Sequence, residues 1–203
     1  PKLYDLTTLQ RDANRLFGFT AKQTLEYTQS LYEKKLCTYP RTDSQYLSDD
    51  MQMTAENVVT AIFDVFAFVP KVMFQPDIKR VLNSKKVTDH HAIIPTLEII
   101  FADLNTLPKT ERKILALIAA RFLCATGEKN LYEAVRAELV CAGNVFSVSG
   151  KAVLNNGWKI FEESFRKYFK AVEEKEKEGQ ELPELYEGMV LGKADVRISE
   201  HVT

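Results

Sequence analysis

Long apolar runs are missing from this sequence of 203 residues. None approaches the roughly 20 residues needed to cross a bilayer, and no signal-peptide pattern opens it. No membrane association is therefore expected. A basic excess is missing too: lysine and arginine number 27 against 28 aspartates and glutamates. Composition thus carries no sign of a general phosphate binder, which ordinarily shows surplus cations. Cysteine is scarce. Cys37, Cys124 and Cys141 are odd in number and lack metal-ligand spacing, which fits reduced thiols in a cytosolic protein.

What is present is apolar material, 45% of the chain and ample for a core. One window departs from neutrality. Between Lys71 and His91 five cations (Lys71, Lys79, Arg80, Lys85, Lys86) meet only Asp77 and Asp89, a net charge of +3 before any histidine protonates. The sequence starts at Pro1 and stops after Glu200-His201-Val202-Thr203 without a helix cap or polar tail, and reads as a piece of a longer chain.

Thr7-Thr8-Leu9-Gln10 fits a capping box and Gly18 a helix terminator, so a helix is expected over about 8–17. Thr20-Ala21-Lys22-Gln23 repeats the capping pattern ahead of a second helix to about Lys35, with Leu25, Thr28, Leu31 and Tyr32 on one face. Two helices joined by Gly18-Phe19-Thr20 resemble a helix-turn-helix (CAP-like) unit, a pattern also common in proteins that never touch DNA. Leu36–Tyr39 reads as extended and halted by Pro40, and Ser48 with Asp49 and Asp50 is expected to cap a third helix. Pro70–Lys86 is irregular, with room for a short helix around 77–82. Ile114, Leu115, Ile118 and Phe122 mark an amphipathic helix from Pro108 to about Thr126, closed by Gly127.

The character then changes. Val135, Ala137, Leu139 and Cys141 alternate as in a strand, Ala142-Gly143-Asn144 turns it, and Val145–Ser149 reads as its partner. Asn155-Asn156-Gly157 is another turn before Trp158–Phe161. Residues 162–187, with nine acidic and five basic groups, read as a partly helical, solvated connector, and Met189–Ile198 as a final strand. The fold class is therefore α+β: a helical region over 1–126, then a β-rich region over 127–203.

Two clusters carry candidate chemistry. In Thr38-Tyr39-Pro40-Arg41-Thr42-Asp43-Ser44, the proline forces extended backbone at Tyr39, and continued extension puts Tyr39, Arg41 and Asp43 on one side. A phenol, with a pKa of about 10, becomes a useful nucleophile when neighbouring positive charge favours its anion. A guanidinium can do that and also bridge phosphate oxygens. The plain alternative is a tyrosine in a strand and an arginine in a turn. The second cluster is Asp89-His90-His91-Ala92-Ile93-Ile94-Pro95-Thr96, directly after the basic window. Imidazole can donate to phosphate; a turn with solvent-facing histidines is the alternative. Zinc is disfavoured, because adjacent histidines in an extended segment point apart and no third ligand is evident.

Leu-Cys-Thr-Tyr-Pro-Arg-Thr-Asp-Ser at 36–44 resembles the active-site tyrosine motif of type IA DNA topoisomerases. The proline after the tyrosine, together with residues 89–96, is similar to the topoisomerase III branch. Asp5–Gln10, Gln29–Glu33, Gly150–Leu154 and Gly157-Trp158 also fit, in the family's order. The resemblance implies that Tyr39 attacks a single-stranded DNA phosphodiester, leaving a 5′-phosphotyrosyl enzyme and a free 3′-hydroxyl without ATP. It implies that Arg41 orients the tyrosine and balances phosphate charge, and that His90 contacts DNA phosphate with His91 beside it. Gln29, Thr42, Asp43 and Ser44 fall in matching stretches that shape a DNA-binding surface.

The same resemblance implies an active-site tyrosine domain at 1–126 and part of a β-rich arch, or gate, at 127–203. It implies Mg2+ held by a Toprim domain that should lie upstream of Pro1 and has no counterpart here, since Asp49-Asp50 fits helix capping better. The 203 residues alone are then expected to be inactive, and an incomplete arch is expected to leave a β edge open to self-association. A cytoplasmic, nucleoid-associated setting and a helicase partner for the parent follow from the same resemblance. Two rival readings differ in class: a helix-turn-helix DNA-binding module without chemistry, and a protein-interaction scaffold using the charged stretch 162–187.

Overall fold

The computed structural model describes residues 1–169, 185–190 and 192. Four helices come first: α1 (Leu6–Phe17), α2 (Ala21–Glu33), α3 (Gln52–Val65) and α4 (Lys109–Thr126), with short 3-10 turns between α2 and α4. Strands β1 (Leu131–Cys141) and β2 (Asn144–Asn155) form a two-stranded sheet, and α5 (Lys159–Phe169) follows. The fold is α+β. The chain divides into two compact units. The larger joins Pro1–Leu131 to the chain from Leu154 through α5, and the smaller holds Tyr132–Val153.

Local chemistry explains where each helix starts and stops. The N-cap of α1 is Asp5, two residues before the expected Thr7. Its carboxylate accepts the Thr8 N–H at 2.7 Å, while the Thr8 hydroxyl faces the Asp5 N–H at 3.3 Å. A carboxylate at this end is also favoured by the helix dipole. Gly18 closes α1 at φ 72°, a left-handed conformation in which a side chain is strained. The Thr20–Gln23 capping box forms as the sequence predicts. Ser48 does not cap. A 3-10 turn, Asp49–Met51, leads into α3, and the Asp49 N–H is taken by the Ser84 hydroxyl at 2.8 Å. This bond satisfies one of the open N–H groups of the turn from a residue 35 positions away.

Helix α4 is buried far beyond the one face that Ile114, Leu115, Ile118 and Phe122 marked. Leu117, Ala119, Ala120, Leu123 and Cys124 are buried as well. The cover on the second face is α5, which sends Phe161 and Phe165 into the core. Charge density around Glu162, Glu163, Arg166 and Lys167 hides that i, i+4 pair in the sequence. The chain enters α5 through Gly157, at φ 49°, where a Cβ would collide with the carbonyl of Lys129. No other residue fits there without moving the backbone. Of the stretch expected to form a final strand at Met189–Ile198, Met189, Val190 and Gly192 are in no strand, and its other residues, like most of the charged connector beyond α5, lie outside the described residues.

In the smaller unit the hairpin turns at Ala142 and Gly143, both with positive φ (48° and 78°). This is the twist-matched two-residue turn that the Ala-Gly-Asn stretch predicts. Its strands are longer than the sequence pattern suggested, and Val140, Val145 and Phe146 stay exposed.

The core has an alkaline weakness. Burial pushes the thiols of Cys37 and Cys124 from 9.0 up to about 12. The folded state therefore keeps both thiols neutral where the unfolded chain would ionise them. This contribution to stability is whole below about pH 9 and is lost as pH rises towards 12. Urea midpoints measured across that range should fall steadily, and Cys37→Ala should flatten the slope. A midpoint indifferent to alkali would contradict the assignment.

Candidate active site

Three stretches far apart in sequence meet edge to edge in the larger unit. The Ile93 N–H donates to the Tyr4 carbonyl at 2.8 Å, and the Leu6 N–H to Thr42 at 3.1 Å. Thr38 donates to Ile94 at 3.0 Å, Thr96 to Leu36 at 3.1 Å, and Ala92 to Tyr46 at 2.9 Å. Antiparallel bridges join Tyr4 to Ile93 and Cys37 to Pro95. The two motif clusters, some fifty residues apart in the chain, are thus neighbouring strand-like segments.

The chain reaches this arrangement by a tight reversal after α2. Lys35 adopts φ 60°, its N–H bonds to the Tyr32 carbonyl at 2.8 Å, and the Leu36 N–H reaches back to Leu31 at 2.9 Å. These bonds satisfy the carbonyls left open at the helix end. The Thr96 hydroxyl holds the Lys35 carbonyl from the facing segment. The next residues run extended, as the proline at position 40 requires. Burial then alternates: Pro40, Thr42 and Ser44 point inward, while Arg41 and Asp43 are exposed and Tyr39 is half-buried. The same-side placement of positions 39, 41 and 43 agrees with this pattern.

The Tyr39 ring is held from two sides. His90 lies with its ring centroid 4.4 Å away at a tilt of 46°, and Tyr32 presents an edge at 5.3 Å and 75°. Among the described residues the Tyr39 hydroxyl makes no hydrogen bond, and no buried side-chain oxygen lacks a partner. The hydroxyl is therefore open to solvent on a ring that is fixed. Arg41, two residues on, is exposed and in no ion pair among the described residues.

The remaining candidates divide. Thr42 and Ser44 are 9% and 4% exposed, so they shape the segment from beneath rather than offering hydroxyls to a ligand. Thr42 donates to the His90 carbonyl at 2.9 Å and accepts the Ser44 N–H at 3.1 Å; Ser44 donates to the Lys86 carbonyl at 2.9 Å. Thr42 thereby ties the tyrosine segment to the histidine segment. Asp43 accepts from the Thr88 hydroxyl at 3.0 Å. His91 turns away from His90 onto its own backbone, with Nδ1 2.8 Å from the Ala92 carbonyl. Gln29 sits on α2 a turn before Tyr32 and donates to Glu33 at 3.1 Å, without bonding to either cluster.

Sequence reasoning missed Tyr32, because the reversal at Lys35 breaks any periodic relation between positions 32 and 39. It also missed Thr38, whose hydroxyl donates to the Ala92 carbonyl and accepts the Ile94 N–H. Part of the basic window comes to the same edge: the Lys86 ammonium lies 4.8 Å and that of Lys2 5.6 Å from the Tyr46 ring centroid. The arrangement offers an unengaged phenol, an unpaired guanidinium and an exposed imidazole, a set suited to attack on an anionic ester. Among the described residues no group of three His, Cys, Asp or Glu side chains could hold a metal ion.

Residues 1–203 match the family model described as DNA topoisomerase. The chain belongs to that family, on its type IA side. Its similarity is to the topoisomerase 3 members: it is 40% identical over 203 residues to DNA topoisomerase 3 of Bacillus subtilis (strain 168), covering 94% of this chain and 26% of that protein. DNA topoisomerase 3 of Bacillus cereus (strain ATCC 14579) is 40% identical over 171 residues, 81% of this chain and 23% of that protein. Among solved structures, full-length topoisomerase I from Thermotoga maritima, in a monoclinic crystal form, matches with TM-score 0.56 at 26% identity, over 89% of this chain and 29% of that one. The chain spans about a quarter of the length of the curated relatives it matches.

Proposed function

We propose that this chain is the part of a type IA DNA topoisomerase that carries the strand-cleaving tyrosine. The supporting observation is the Tyr39 ring, clamped between Tyr32 and His90 with its hydroxyl unengaged. In the proposed step, Tyr39 Oη attacks a phosphodiester of single-stranded DNA. A bond forms between Oη and phosphorus and the bond from phosphorus to the 3′-oxygen breaks. The phenol gives up its proton, and the departing 3′-oxygen takes one up. Arg41 lies two residues along the same exposed edge, where its fork can neutralise phosphate charge. His90 supplies an imidazole N–H to a phosphate oxygen while stacking against the attacking ring. The linkage retains the energy of the broken ester, so the 3′-hydroxyl can return without a nucleotide cofactor.

Strand passage, the arch or gate movement, a Toprim domain holding Mg2+ and a helicase partner belong to the proposed parent polypeptide. So does its cytoplasmic, nucleoid-associated setting. The exposed hairpin edges would pair with the rest of the arch there, or with another copy in isolation. No step is assigned to a metal within these 203 residues. The purified 203-residue chain is accordingly expected to leave supercoiled plasmid unrelaxed, and to bind single-stranded DNA weakly and with strong salt dependence.

A parent polypeptide with residues upstream of Pro1 is expected to trap an end-labelled oligonucleotide as a covalent adduct, with the label on the peptide containing Tyr39. Plasmid relaxation by the 203-residue chain alone would overturn the division of labour. An adduct at another residue, or DNA binding by the parent with no adduct at all, would overturn the reading and favour a non-catalytic helix-turn-helix module.

A further inference from the structure

One cavity in the larger unit shares no residue with the Tyr39 site. It has a volume of about 580 Å³, within the range of ligand pockets, and lies where the end of α3, the turn around Leu104, the first turns of α4 and the end of α5 meet. Its wall is aromatic. Phe66 and Phe68 stand with centroids 5.4 Å apart, Tyr168 is 6.5 Å from Phe68, and Phe169 is 5.0 Å from Tyr168. Leu104 and Leu115 complete an apolar interior. The Ser164 hydroxyl fixes the wall by donating to the Phe68 carbonyl at 2.6 Å.

The rim is cationic. Lys109, Arg112 and Lys113 are among the cavity's lining residues. The Lys113 ammonium already lies over the rings of Phe17 and Phe19, at 5.0 and 5.9 Å. Lys109 and Arg112 are in no ion pair among the described residues. The single acid of the rim, Asp103, has a carboxylate oxygen engaged by the Asn105 N–H at 3.0 Å. The lining thus places three cations against one acid around an apolar hole.

We infer that this cavity docks a partner protein through a short acidic peptide segment, in which one aromatic or branched apolar side chain enters the cavity and flanking carboxylates meet Lys109 and Arg112. A buried aromatic anchor supplies affinity, and rim charges supply encounter rate and salt sensitivity. A nucleotide would satisfy the cations equally well. Its base, however, would leave ring nitrogens and carbonyl oxygens without partners in this apolar interior, which is unfavourable. An unfunctionalised side chain has no such penalty. The inference is independent of the chemistry at Tyr39.

The test uses the 203-residue chain and a fluorescein-labelled peptide with one phenylalanine flanked by aspartates, read by fluorescence anisotropy. Saturable binding that weakens with salt is expected. Arg112→Glu and Lys109→Glu should each weaken it about tenfold or more while the circular dichroism melt is unchanged. Replacing the peptide's phenylalanine by serine should remove binding, and so should exchanging its aspartates for lysines. Absence of binding at millimolar peptide, equal binding of the lysine peptide, or full affinity in Arg112→Glu would overturn the proposal. Displacement by a thymidine oligonucleotide would give the cavity to nucleic acid instead. Binding seen only after Glu173, Glu174, Glu176 and Glu178 are changed to Gln would give it to the chain's own acidic stretch.

Discussion

Tyr39→Phe in the parent polypeptide is expected to abolish the covalent DNA adduct, a loss of at least about 10⁴-fold, with strand binding and folding intact. The structure makes this substitution unusually clean. The Tyr39 hydroxyl has no hydrogen-bond partner among the described residues, so its removal orphans no donor or acceptor. The ring that remains still packs between His90 and Tyr32 at the same centroid distances of 4.4 and 5.3 Å. Unfolding free energy should therefore shift by less than about 0.5 kcal/mol. A gel-shift with single-stranded oligonucleotide, a denaturing gel for the adduct and a urea melt separate the three properties. Persistence of the adduct would remove Tyr39 from the chemistry. A melt shifted by several degrees would mean that the phenol does structural work.

The second large effect lies beneath the site, at a buried polar knot. Tyr4 is 1% exposed; its hydroxyl donates to Asp12 at 2.7 Å and accepts from Arg121 at 3.1 Å. Arg121 also pairs directly with Asp12 and stacks 4.4 Å from the centroid of the Tyr4 ring. Burial holds the Tyr4 phenol well above its usual range, so it stays a neutral donor. Asp12→Ala leaves the Arg121 charge without its carboxylate in a mostly desolvated place. This is expected to cost about 3 kcal/mol in unfolding free energy, a large share of a typical domain's total. Asp12→Asn, which retains an acceptor, should lose less. Because the Tyr4 carbonyl accepts from Ile93, the damage should also loosen the histidine segment, and adduct formation should fall along with stability. An Asp12→Ala melt within about 0.5 kcal/mol of the parent's would show that water replaces the carboxylate at no loss.

How much of this was legible before the structure depended on distance along the chain. Local signals were sound where the answer was local. The Thr20–Gln23 capping box, the extension forced by Pro40, the hairpin turn at Ala142-Gly143 and the helix ending at Gly127 all follow from neighbouring residues. Signals failed where a distant group took over. Ser48 makes no cap while the Ser84 hydroxyl takes the Asp49 N–H, and α4 proved buried on two faces because α5 folds back upon it. The count of charges after Trp158 outweighed two phenylalanines in an expectation of solvated chain. At the site, the two motif clusters could be read singly, but their adjacency could not. No sequence pattern announces that the Thr42 hydroxyl will hold the His90 carbonyl, or that a left-handed Lys35 will bring Tyr32 against Tyr39.

The stitching of residues 4, 42 and 93 into one lattice of backbone bonds has a mechanical corollary. Phenol, guanidinium and imidazole ride on one compact unit, their segments tied edge to edge by backbone bonds. If a severed strand end were tethered to that phenol and swung aside, its counter-charges would travel as escorts. The tether would then return to its broken partner already dressed for resealing, and accuracy of rejoining would depend on where the body lands rather than on rebuilding the pocket.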